Sequence, residues 1–381
     1  MSGGTVRRIV VVGNGIAGLT AADTLREAGF DGELTLVGDE PHPAYSRPAL
    51  SKALLLDGDD LSSHELPPAD HGATELLGVR ATGLDTEGRL VALDDGTALP
   101  YDRLVLATGS GARRLSDLPG EFTLRGLDDA LGLRARLAAR PSVVVVGGGP
   151  LGMEIASGCL AAGCQVTLVS QGPPLAAQLG PYLAGVCTGA ALGLGLTVVE
   201  TAGARVEERA GEACAVLADG TVLEAELLVS AVGDVPNTEW LVGTGLTGKG
   251  GAVPVDGRGL ARPGIAAVGD LAACPGPGGA RRVPFWSAAT EQAKTAARAL
   301  LHGEEAPPLA YQPYFWTEQF GLTLKAVGPM PPVAEPEFLH GGPGGGPALM
   351  RWAHPDGTGT AVALNHRIPV PRLRRTAGAA A

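Results

Sequence analysis

Positive charge and cysteine are both scarce in this sequence. The 381 residues carry a formal net charge of -11 at pH 7, and a chain without a basic excess is poorly suited to bind the phosphates of nucleic acid. Five cysteines are too few in a chain of this length to indicate a disulfide-stapled fold. We therefore expect neither nucleic acid as a partner nor a disulfide scaffold.

Apolar runs that could span a membrane are also missing. From Ile155 to Val199 the sequence contains no Asp, Glu, Lys, Arg or His. Gly172–Pro174 and Gly180–Pro181 interrupt this segment, so no apolar helix of ~20 residues fits. The N-terminus runs into a strand pattern without the apolar core of a secretion signal. We expect a cytoplasmic chain with no membrane partner.

Glycine, in contrast, is abundant. The chain has 58 glycines and 30 prolines beside only 4% aromatic residues, which indicates many tight turns or backbone that lies against ligands. Hydrophobic residues make up 45%, enough for sizeable cores, and a length of 381 residues indicates two or three domains.

A dinucleotide-binding pattern opens the chain. A short apolar strand ends at Gly13–Gly18 (GNGIAG), a helix follows from Leu19 to Ala28, and a second strand leads to Asp39. In such a loop Gly13 permits the tight turn, Gly15 lets a pyrophosphate approach, and Gly18 allows helix and strand to pack closely. A carboxylate at the position of Asp39 suits the adenosine ribose. The alternative is a purely structural glycine turn.

The pattern recurs in the middle of the chain, which predicts a second dinucleotide. The strand Ser142–Val146 precedes Gly147–Gly152 (GGGPLG) and a helix, and the strand Gln165–Val169 follows. The glycines of this motif are Gly147, Gly149 and Gly152. Ser170 stands where an acid would hold a ribose 2′-hydroxyl, and no Arg lies nearby for a 2′-phosphate. The choice between NADH and NADPH therefore stays open.

Five further motifs resemble those of one family. They are Pro48–Lys52 (PALSK), Tyr101–Gly109 (YDRLVLATG), Val235–Asn237 (VPN), Ala267–Asp270 (AVGD) and Phe315–Phe320 (FWTEQF). In this order the chain resembles the FAD-dependent NAD(P)H:ferredoxin reductases that serve cytochrome P450s and ring-hydroxylating dioxygenases, in particular the putidaredoxin reductase type. The resemblance extends from residue 8 to about residue 330.

The resemblance implies an α/β fold with two Rossmann-like domains and a small α+β C-terminal domain. The FAD-binding domain would comprise residues 1–110 and 239–309, the NAD(P)H-binding domain residues 111–238, and the C-terminal domain with a basic, partly flexible tail residues 310–381. The implied FAD-binding positions are Gly13, Gly15, Ala17, Gly18, Asp39, Arg47, Lys52, Ala81, Thr108, Gly109, Arg125, Asp270, Trp286 and Trp316. The implied NAD(P)H-binding positions are Gly147, Gly149, Gly152, Glu154, Ser170 and Gly233.

Two of these residues are implied to act in catalysis. Lys52 is a cation that would lie near flavin N5 and stabilise the anionic reduced ring, and Glu154 would contact the nicotinamide carboxamide. Alternatively, Lys52 is a solvated lysine that starts a helix, and Glu154 is an ordinary first-turn glutamate favoured by the helix dipole. For Trp316 the alternative to flavin stacking is a position in the core.

Cysteine and histidine carry no predicted chemistry. Cys159 and Cys164 have the spacing of a redox pair, but both fall on the predicted helix of the second glycine-rich unit, so packing is the expected role. The position where disulfide enzymes carry their cysteines reads Tyr45–Pro48 (YSRP). Seven scattered histidines show no ligand spacing, and we predict no metal site.

The implied reaction takes hydride from NADH or NADPH to FAD and passes single electrons to a [2Fe-2S] ferredoxin. Arg372, Arg374 and Arg375, or the pair Arg281 and Arg282, would steer this acidic partner, unless the tail is merely solvated. Ser170 and the uncharged stretches depart from the family pattern. They leave two alternatives, namely a flavoenzyme that acts directly on a small metabolite and a flavin-bound redox sensor with a vestigial NAD site.

Overall fold

The computed structural model describes residues 6–55, 64–67, 70–276, 278–344, 346–355 and 357–378. These residues form two compact units, each assembled from separate stretches of the chain. The first unit takes its described residues from Met1–Ser46, His64–Gly111 and Val235–Tyr311, and the second from Arg47–Ser63, Ala112–Asp234 and Gln312–Ala381. The division into three domains with the predicted boundaries stays a prediction.

The described residues contain six α-helices, which are α1 (Ile16–Glu27), α2 (Leu127–Leu137), α3 (Pro150–Ala161), α4 (Ala176–Gly193), α5 (Trp286–His302) and α6 (Val370–Ala377). The strands up to Ala112 are β1 (Arg8–Val12), β2 (Glu33–Gly38), β3 (Thr74–Leu77), β4 (Ala81–Asp85), β5 (Leu90–Leu93), β6 (Ala98–Pro100), β7 (Arg103–Leu106) and β8 (Ser110–Ala112). The next strands are β9 (Glu121–Phe122), β10 (Ser142–Val146), β11 (Gln165–Ser170), β12 (Thr197–Glu200), β13 (Ala204–Arg209), β14 (Glu212–Leu217), β15 (Val222–Leu223), β16 (Leu227–Ser230) and β17 (Asp234–Pro236). The remaining strands are β18 (Val253–Pro254), β19 (Leu260–Arg262), β20 (Ile265–Ala267), β21 (Ala272–Cys274), β22 (Arg281–Arg282), β23 (Tyr314–Gln319), β24 (Leu322–Val327), β25 (Glu337–His340), β26 (Ala348–Ala353) and β27 (Gly359–Leu364).

The first unit is built around a six-stranded sheet in the order β19-β20-β7-β1-β2-β3. The central strand β1 pairs in parallel with β2 and β7, and its apolar residues are buried on both faces, as expected for a continuous apolar run. On one face Ile9 and Val11 join a core with α1 and α5. On the other face Val10 and Val12 join a core with β5 of the antiparallel β4-β5-β6 sheet.

The first part of the second unit repeats this plan. Five parallel strands have the order β12-β11-β10-β16-β9, and α3 connects β10 to β11. One face of the sheet packs against the antiparallel β13-β14-β15 sheet through Val144, Val169 and Ala215. The glycine loop therefore lies at the carboxyl edge of this sheet, which is the usual place for a ligand.

The last part of the second unit is an antiparallel sheet of five strands, β23-β24-β27-β26-β25. Within the tail that was predicted to be partly flexible, residues 370–377 form α6. Leu373 and Ala377 are buried in a core with Val327 and Ala361, and this burial anchors the helix.

Candidate active site

The first glycine-rich loop joins β1 to α1. Gly13 has φ +119°, and a Cβ on Gly13 would lie 2.1 Å from the carbonyl oxygen of Ala107. A Cβ on Gly18 would lie 1.8 Å from the carbonyl oxygen of Gly13, whereas a Cβ on Gly15 would meet nothing within 4 Å. Gly13 and Gly18 are therefore required by the fold, and Gly15 leaves the backbone accessible to a ligand.

The surroundings of this loop fit a dinucleotide. The side-chain oxygen Oδ1 of Asn14 is buried and has no hydrogen-bond partner among the described residues, and no side chain caps the N-terminus of α1. Asp39 follows β2 and keeps a half-exposed carboxylate 3.8 Å from the Arg80 guanidinium. The uncapped backbone N–H groups at the N-terminus of α1 suit a pyrophosphate, and the Asp39 carboxylate at the same sheet edge suits a ribose.

Further predicted flavin residues lie in the same unit. The Thr108 hydroxyl donates to the carbonyl oxygen of Asn237 at 2.6 Å, and the Asn237 amide donates to the Thr108 carbonyl at 2.9 Å. Ser110 Oγ donates to Asp270 Oδ2 at 3.2 Å. Gly109, between Thr108 and Ser110, has φ +67°. This stretch is thus held in one conformation by its own hydrogen bonds.

The three remaining positions in the first unit are two alanines and a tryptophan. Ala17 is buried in α1, and a Cβ on Gly269 would lie 3.2 Å from the Ala17 Cβ. Ala81 begins β4 and is buried in the core. Trp286 is the first residue of α5 and is partly buried. Ala17 and Ala81 have no polar side-chain atom, so a cofactor contact there would involve the backbone or the methyl group, whereas the Trp286 indole N–H is a hydrogen-bond donor.

The second glycine-rich loop has the same geometry as the first. Gly147 has φ +125°, and a Cβ on Gly147 would lie 2.2 Å from the carbonyl oxygen of Ala231. A Cβ on Gly152 would lie 1.8 Å from the Gly147 carbonyl oxygen, and a Cβ on Gly149 would meet nothing within 4 Å. Gly147 and Gly152 are therefore required by the fold, as Gly13 and Gly18 are, and Gly149 leaves the backbone open, as Gly15 does.

Ser170 and Gly233 flank this second loop. Ser170 is only 5% exposed, and a Cβ on Gly148 would lie 2.0 Å from Ser170 Oγ. Gly233 has φ +105°, and its carbonyl oxygen accepts a hydrogen bond from the backbone N–H of Arg113 at 3.0 Å. Ser170 packs against the loop more than it faces solvent.

A buried polar cluster surrounds Glu154 in α3. Glu154 Oε2 accepts hydrogen bonds from Ser51 Oγ at 2.5 Å and from Lys52 Nζ at 2.9 Å, and Oε1 accepts one from Thr317 Oγ1 at 2.6 Å. Lys52 Nζ also donates to the carbonyl oxygen of Pro48 at 3.0 Å. The side chains of Lys52 and Glu154 are 14% and 7% exposed. Both charges are thus buried, paired and hydrogen-bonded.

Two distant segments of the chain meet on α3 to form this cluster. The segment after Lys52 is anchored by Leu55, because a Cβ on Gly158 of α3 would already lie 3.0 Å from Leu55 Cδ1. From β23, Thr317 faces α3, and the nearby Phe320 N–H donates to Ser157 Oγ at 2.7 Å. Lys52 is therefore not a solvated lysine.

Glu154 also differs from an ordinary first-turn glutamate. The first turn of α3 contains no acidic residue, and Glu154 lies one turn further along, where it is buried. A buried carboxylate inside a helix needs donors from other elements, which Ser51, Lys52 and Thr317 provide.

The other predicted flavin residues of the second unit are Trp316, Arg47 and Arg125. Trp316 is partly exposed, and its ring stacks on Tyr314 with centroids 5.6 Å apart and an interplanar angle of 17°. As neighbours on a strand, Trp316 and Thr317 point to opposite faces of the sheet. Arg47 donates through Nη1 to the carbonyl oxygen of Arg125 at 3.0 Å.

Comparison with known proteins assigns the family. The sequence profile described as "Pyridine nucleotide-disulphide oxidoreductase" matches residues 7–293. The chain belongs to this family. It is 37% identical to rhodocoxin reductase of Rhodococcus erythropolis over 333 residues, 84% of this chain and 78% of that protein. It is 35% identical to the p-cumate 2,3-dioxygenase system ferredoxin–NAD(+) reductase component of Pseudomonas putida over 335 residues, 86% of this chain and 82% of that one.

Solved structures of this oxidoreductase family agree. A ferredoxin reductase of Rhodopseudomonas palustris matches with a TM-score of 0.85 and 30% identity over 94% of this chain and 91% of that one. A covalent putidaredoxin reductase–putidaredoxin complex matches with a TM-score of 0.85 and 28% identity over 97% of this chain and 92% of that one. The predicted α/β fold class, the resemblance and an oxidoreductase activity are thereby confirmed.

Burial disfavours the thiolate form of Cys159 and Cys164. All five are free. Burial raises the pKa of the Cys159 thiol to about 12, and burial likewise raises the pKa of Cys164. The sequence interpretation was wrong in placing Cys164 on the helix, since α3 ends at Ala161 and the Cys164 N–H closes the following turn onto the Cys159 carbonyl oxygen at 3.0 Å.

The described part of the chain contains neither a metal-binding cluster nor a membrane-spanning helix. No three or more His, Cys, Asp or Glu residues there are grouped so as to hold a metal. His340 and His366 have ring centroids 4.8 Å apart, but a third ligand does not join them. No described helix combines the length and apolarity needed to cross a membrane.

Sequence reasoning did not assign a role to Ser51, Thr317 or Asn14. Ser51 lies in the motif PALSK next to Lys52, and Thr317 lies in the motif FWTEQF next to Trp316. The motifs therefore pointed to both places in the chain, but the functional role was assigned to the charged or aromatic neighbour instead of the hydroxyl residue. Asn14 lies between two loop glycines, and only its buried, unpartnered Oδ1 marks it as a ligand candidate.

Proposed function

We propose that this protein takes hydride from NADH or NADPH into bound FAD and passes single electrons to a [2Fe-2S] ferredoxin that serves an oxygenase, such as a cytochrome P450. The observation that best supports this proposal is the buried cluster around Glu154, which lies two residues after the second glycine motif. In this cluster Lys52 Nζ donates to Glu154 Oε2 at 2.9 Å. An ion pair this deeply buried is costly to maintain, which supports a role beyond packing.

Residues of the first unit would hold FAD. The open backbone at Gly15 and the N-terminus of α1 suit the pyrophosphate, and Asp39 suits the adenosine ribose. Thr108 and Asp270, held by their own hydrogen bonds, suit the remainder of the cofactor. When bound, FAD supplies the conversion of a two-electron hydride donor into one-electron steps.

Lys52 and Glu154 would act together on the reacting groups. Glu154 and the Pro48 carbonyl oxygen hold the Lys52 ammonium in place, so its positive charge is pre-organised to stabilise negative charge on a reduced ring. A carboxylate has about four acceptor positions, and three donors engage Glu154. The fourth position is available for the N–H of a nicotinamide carboxamide, which would orient the hydride donor.

Electrons would leave without a protein dithiol. Tyr45–Pro48 contains no cysteine, and the buried Cys159 thiol with its pKa raised to about 12 is a poor nucleophile at neutral pH. Direct transfer to a one-electron acceptor follows from this arrangement.

An acidic ferredoxin would meet a basic surface on α6. Leu373 and Ala377 are buried, whereas Arg372 and Arg375 on the same helix are exposed. Exposed charges of this kind raise association rates more than affinity. Arg282 is a weaker candidate, because its Nη1 donates to the carbonyl oxygen of Asp270 at 2.9 Å.

Anaerobic stopped-flow absorbance near ~450 nm tests the proposal. NADH or NADPH should bleach the FAD-loaded protein rapidly, and a [2Fe-2S] ferredoxin added to the reduced protein should then be reduced in one-electron steps. If neither nucleotide bleaches the flavin, the proposal is wrong. Bleaching without transfer to any ferredoxin would instead favour an enzyme that acts on a small metabolite.

A further inference from the structure

Four of the five strands of the second unit's parallel sheet are followed by uncharged loops at its carboxyl edge. The four loops that follow β10, β11, β12 and β16 are residues 147–149, 171–175, 201–203 and 231–233, all of them described. None contains a Lys, Arg, His, Asp or Glu. Among these loops and the last residues of the four strands, Glu200 at the end of β12 is the one ionisable side chain.

Strand pairing brings Glu200 beside the second glycine loop. Ser170 at the end of β11 pairs with Glu200 in parallel register, and the Thr201 N–H donates to the Ser170 carbonyl oxygen at 2.9 Å. Paired residues of a parallel sheet point to the same face. Because Ser170 Oγ lies against Gly148, Glu200 lies on the same side of the sheet as the loop.

The two residues at the end of β11 do not provide an acid themselves. Ser170 is uncharged and 5% exposed, and the Gln171 side chain donates through Nε2 to the carbonyl oxygen of Ala202 at 3.1 Å. Glu200 is exposed and makes no hydrogen bond or ion pair within the described part of the chain. Its carboxylate is therefore available to a ligand.

We infer that Glu200 supplies the carboxylate that binds the adenosine ribose of the nicotinamide nucleotide, in place of an acid on β11, and that it selects NADH over NADPH. The inference rests on the proposed function. Two ribose hydroxyls are donors to a carboxylate, whereas a 2′-phosphate would meet the like charge of Glu200 and no cation on the four loops. Arg113 contacts the loop after β16, which β10 and β11 separate from β12. Arg125 follows β9, at the opposite edge of the sheet, and Arg205 pairs with Glu207 at 2.6 Å.

Isothermal titration of the oxidised, FAD-loaded protein with NAD+ and with NADP+ tests this inference. The wild type should bind NAD+ at least about tenfold more tightly than NADP+. Glu200→Gln should weaken NAD+ binding about tenfold and bring the two affinities close together. Glu200→Arg should reverse the preference, because a guanidinium binds a phosphate well.

Glu212→Gln is the matched control, because Glu212 is also exposed and lies in the same unit. It should leave both affinities unchanged. Equal binding of NAD+ and NADP+ by the wild type, or an unchanged ratio in Glu200→Gln, would overturn the inference. Glu200 lies exposed on an edge strand, so we expect these variants to fold.

The titration separates this inference from the proposed function. It uses oxidised protein without ferredoxin, so failure of electron transfer to a ferredoxin leaves the binding ratio intact. Selective NAD+ binding without reduction of the flavin by NADH would contradict the proposed function and support the role of Glu200. Binding of neither nucleotide would overturn both.

Discussion

Replacing Lys52 with Met should destabilise the second unit, and a second substitution should restore most of the loss. Lys52→Met keeps the aliphatic stem and removes the ammonium, which lies 2.9 Å from Glu154 Oε2. The Glu154 carboxylate, 7% exposed, would then be a buried charge with only the hydroxyl donors Ser51 and Thr317.

The magnitude follows from the burial of the pair. Removing one partner of a buried ion pair costs about 3–5 kcal/mol, and the two remaining hydroxyl donors place the expected loss near the lower limit. Units of 150–250 residues lose ~2–4 °C in melting temperature per kcal/mol, which gives a decrease of about 6–12 °C. Adding Glu154→Gln removes the unpaired charge. Its amide oxygen can still accept from Ser51, so the double variant should melt within about 4 °C of the wild type.

Thermal melting at fixed protein and FAD concentrations measures these shifts, since bound ligand changes the melting temperature. Lys294→Met is the matched control, because Lys294 pairs with Glu291 at the same 2.9 Å but with 43% and 40% exposed side chains. An exposed pair contributes at most ~1 kcal/mol. A Lys52→Met shift no larger than that of the control, or a double variant as unstable as Lys52→Met, would refute the reasoning.

Three further predictions concern the cofactor loop, the thiols and the partner surface. Gly15→Ala should fold, because the added Cβ meets no protein atom within 4 Å, but it should bind FAD more weakly, because the same Cβ would meet the ligand. Unchanged FAD affinity in an equilibrium titration would contradict this role. Cys159→Ser should retain NADH-dependent bleaching of the flavin, and loss of this bleaching would indicate a thiol mechanism. In the folded wild type at pH 8, the Cys159 thiol, with its pKa raised to about 12, should stay unmodified by a thiol reagent. Replacing the exposed Arg372 and Arg375 with Glu should slow ferredoxin reduction at low salt and not the bleaching by NADH, whereas an unchanged stopped-flow rate would remove α6 from the docking surface.

Local patterns were sufficient to predict the two glycine-rich units. The strand Ser142–Val146 is confirmed at both ends, because an apolar run bounded by Pro141 and a glycine loop has clear limits. Helix α1 begins at Ile16, three residues before the predicted start. The glycine motif itself contributes the first turn, since the backbone is already helical after Gly15.

The environment of Glu154 was not predictable from local sequence. Its donors Ser51 and Thr317 are 103 and 163 residues away along the chain, so the cluster depends on tertiary packing against α3. The sequence interpretation left Lys52 and Glu154 between a functional and a solvated role, and only burial of both side chains excludes the solvated alternative. Whether such a charged side chain is buried or solvated depends on residues that are distant in sequence, whereas helix propensity and hydrophobic periodicity describe only neighbouring residues.

The two glycine loops also show why a motif identifies the ligand class but not the ligand. Gly13 and Gly147 have φ +119° and φ +125° and approach a carbonyl oxygen at nearly the same distance, 2.1 Å and 2.2 Å for an added Cβ. Loop geometry therefore serves any pyrophosphate. The difference lies at the end of the following strand, where the first unit has the exposed Asp39 and the second the buried Ser170. Since strand register places Glu200 next to Ser170, an acid lost from one strand can be replaced from its neighbour, and nucleotide selection can change without any change in the glycine loop.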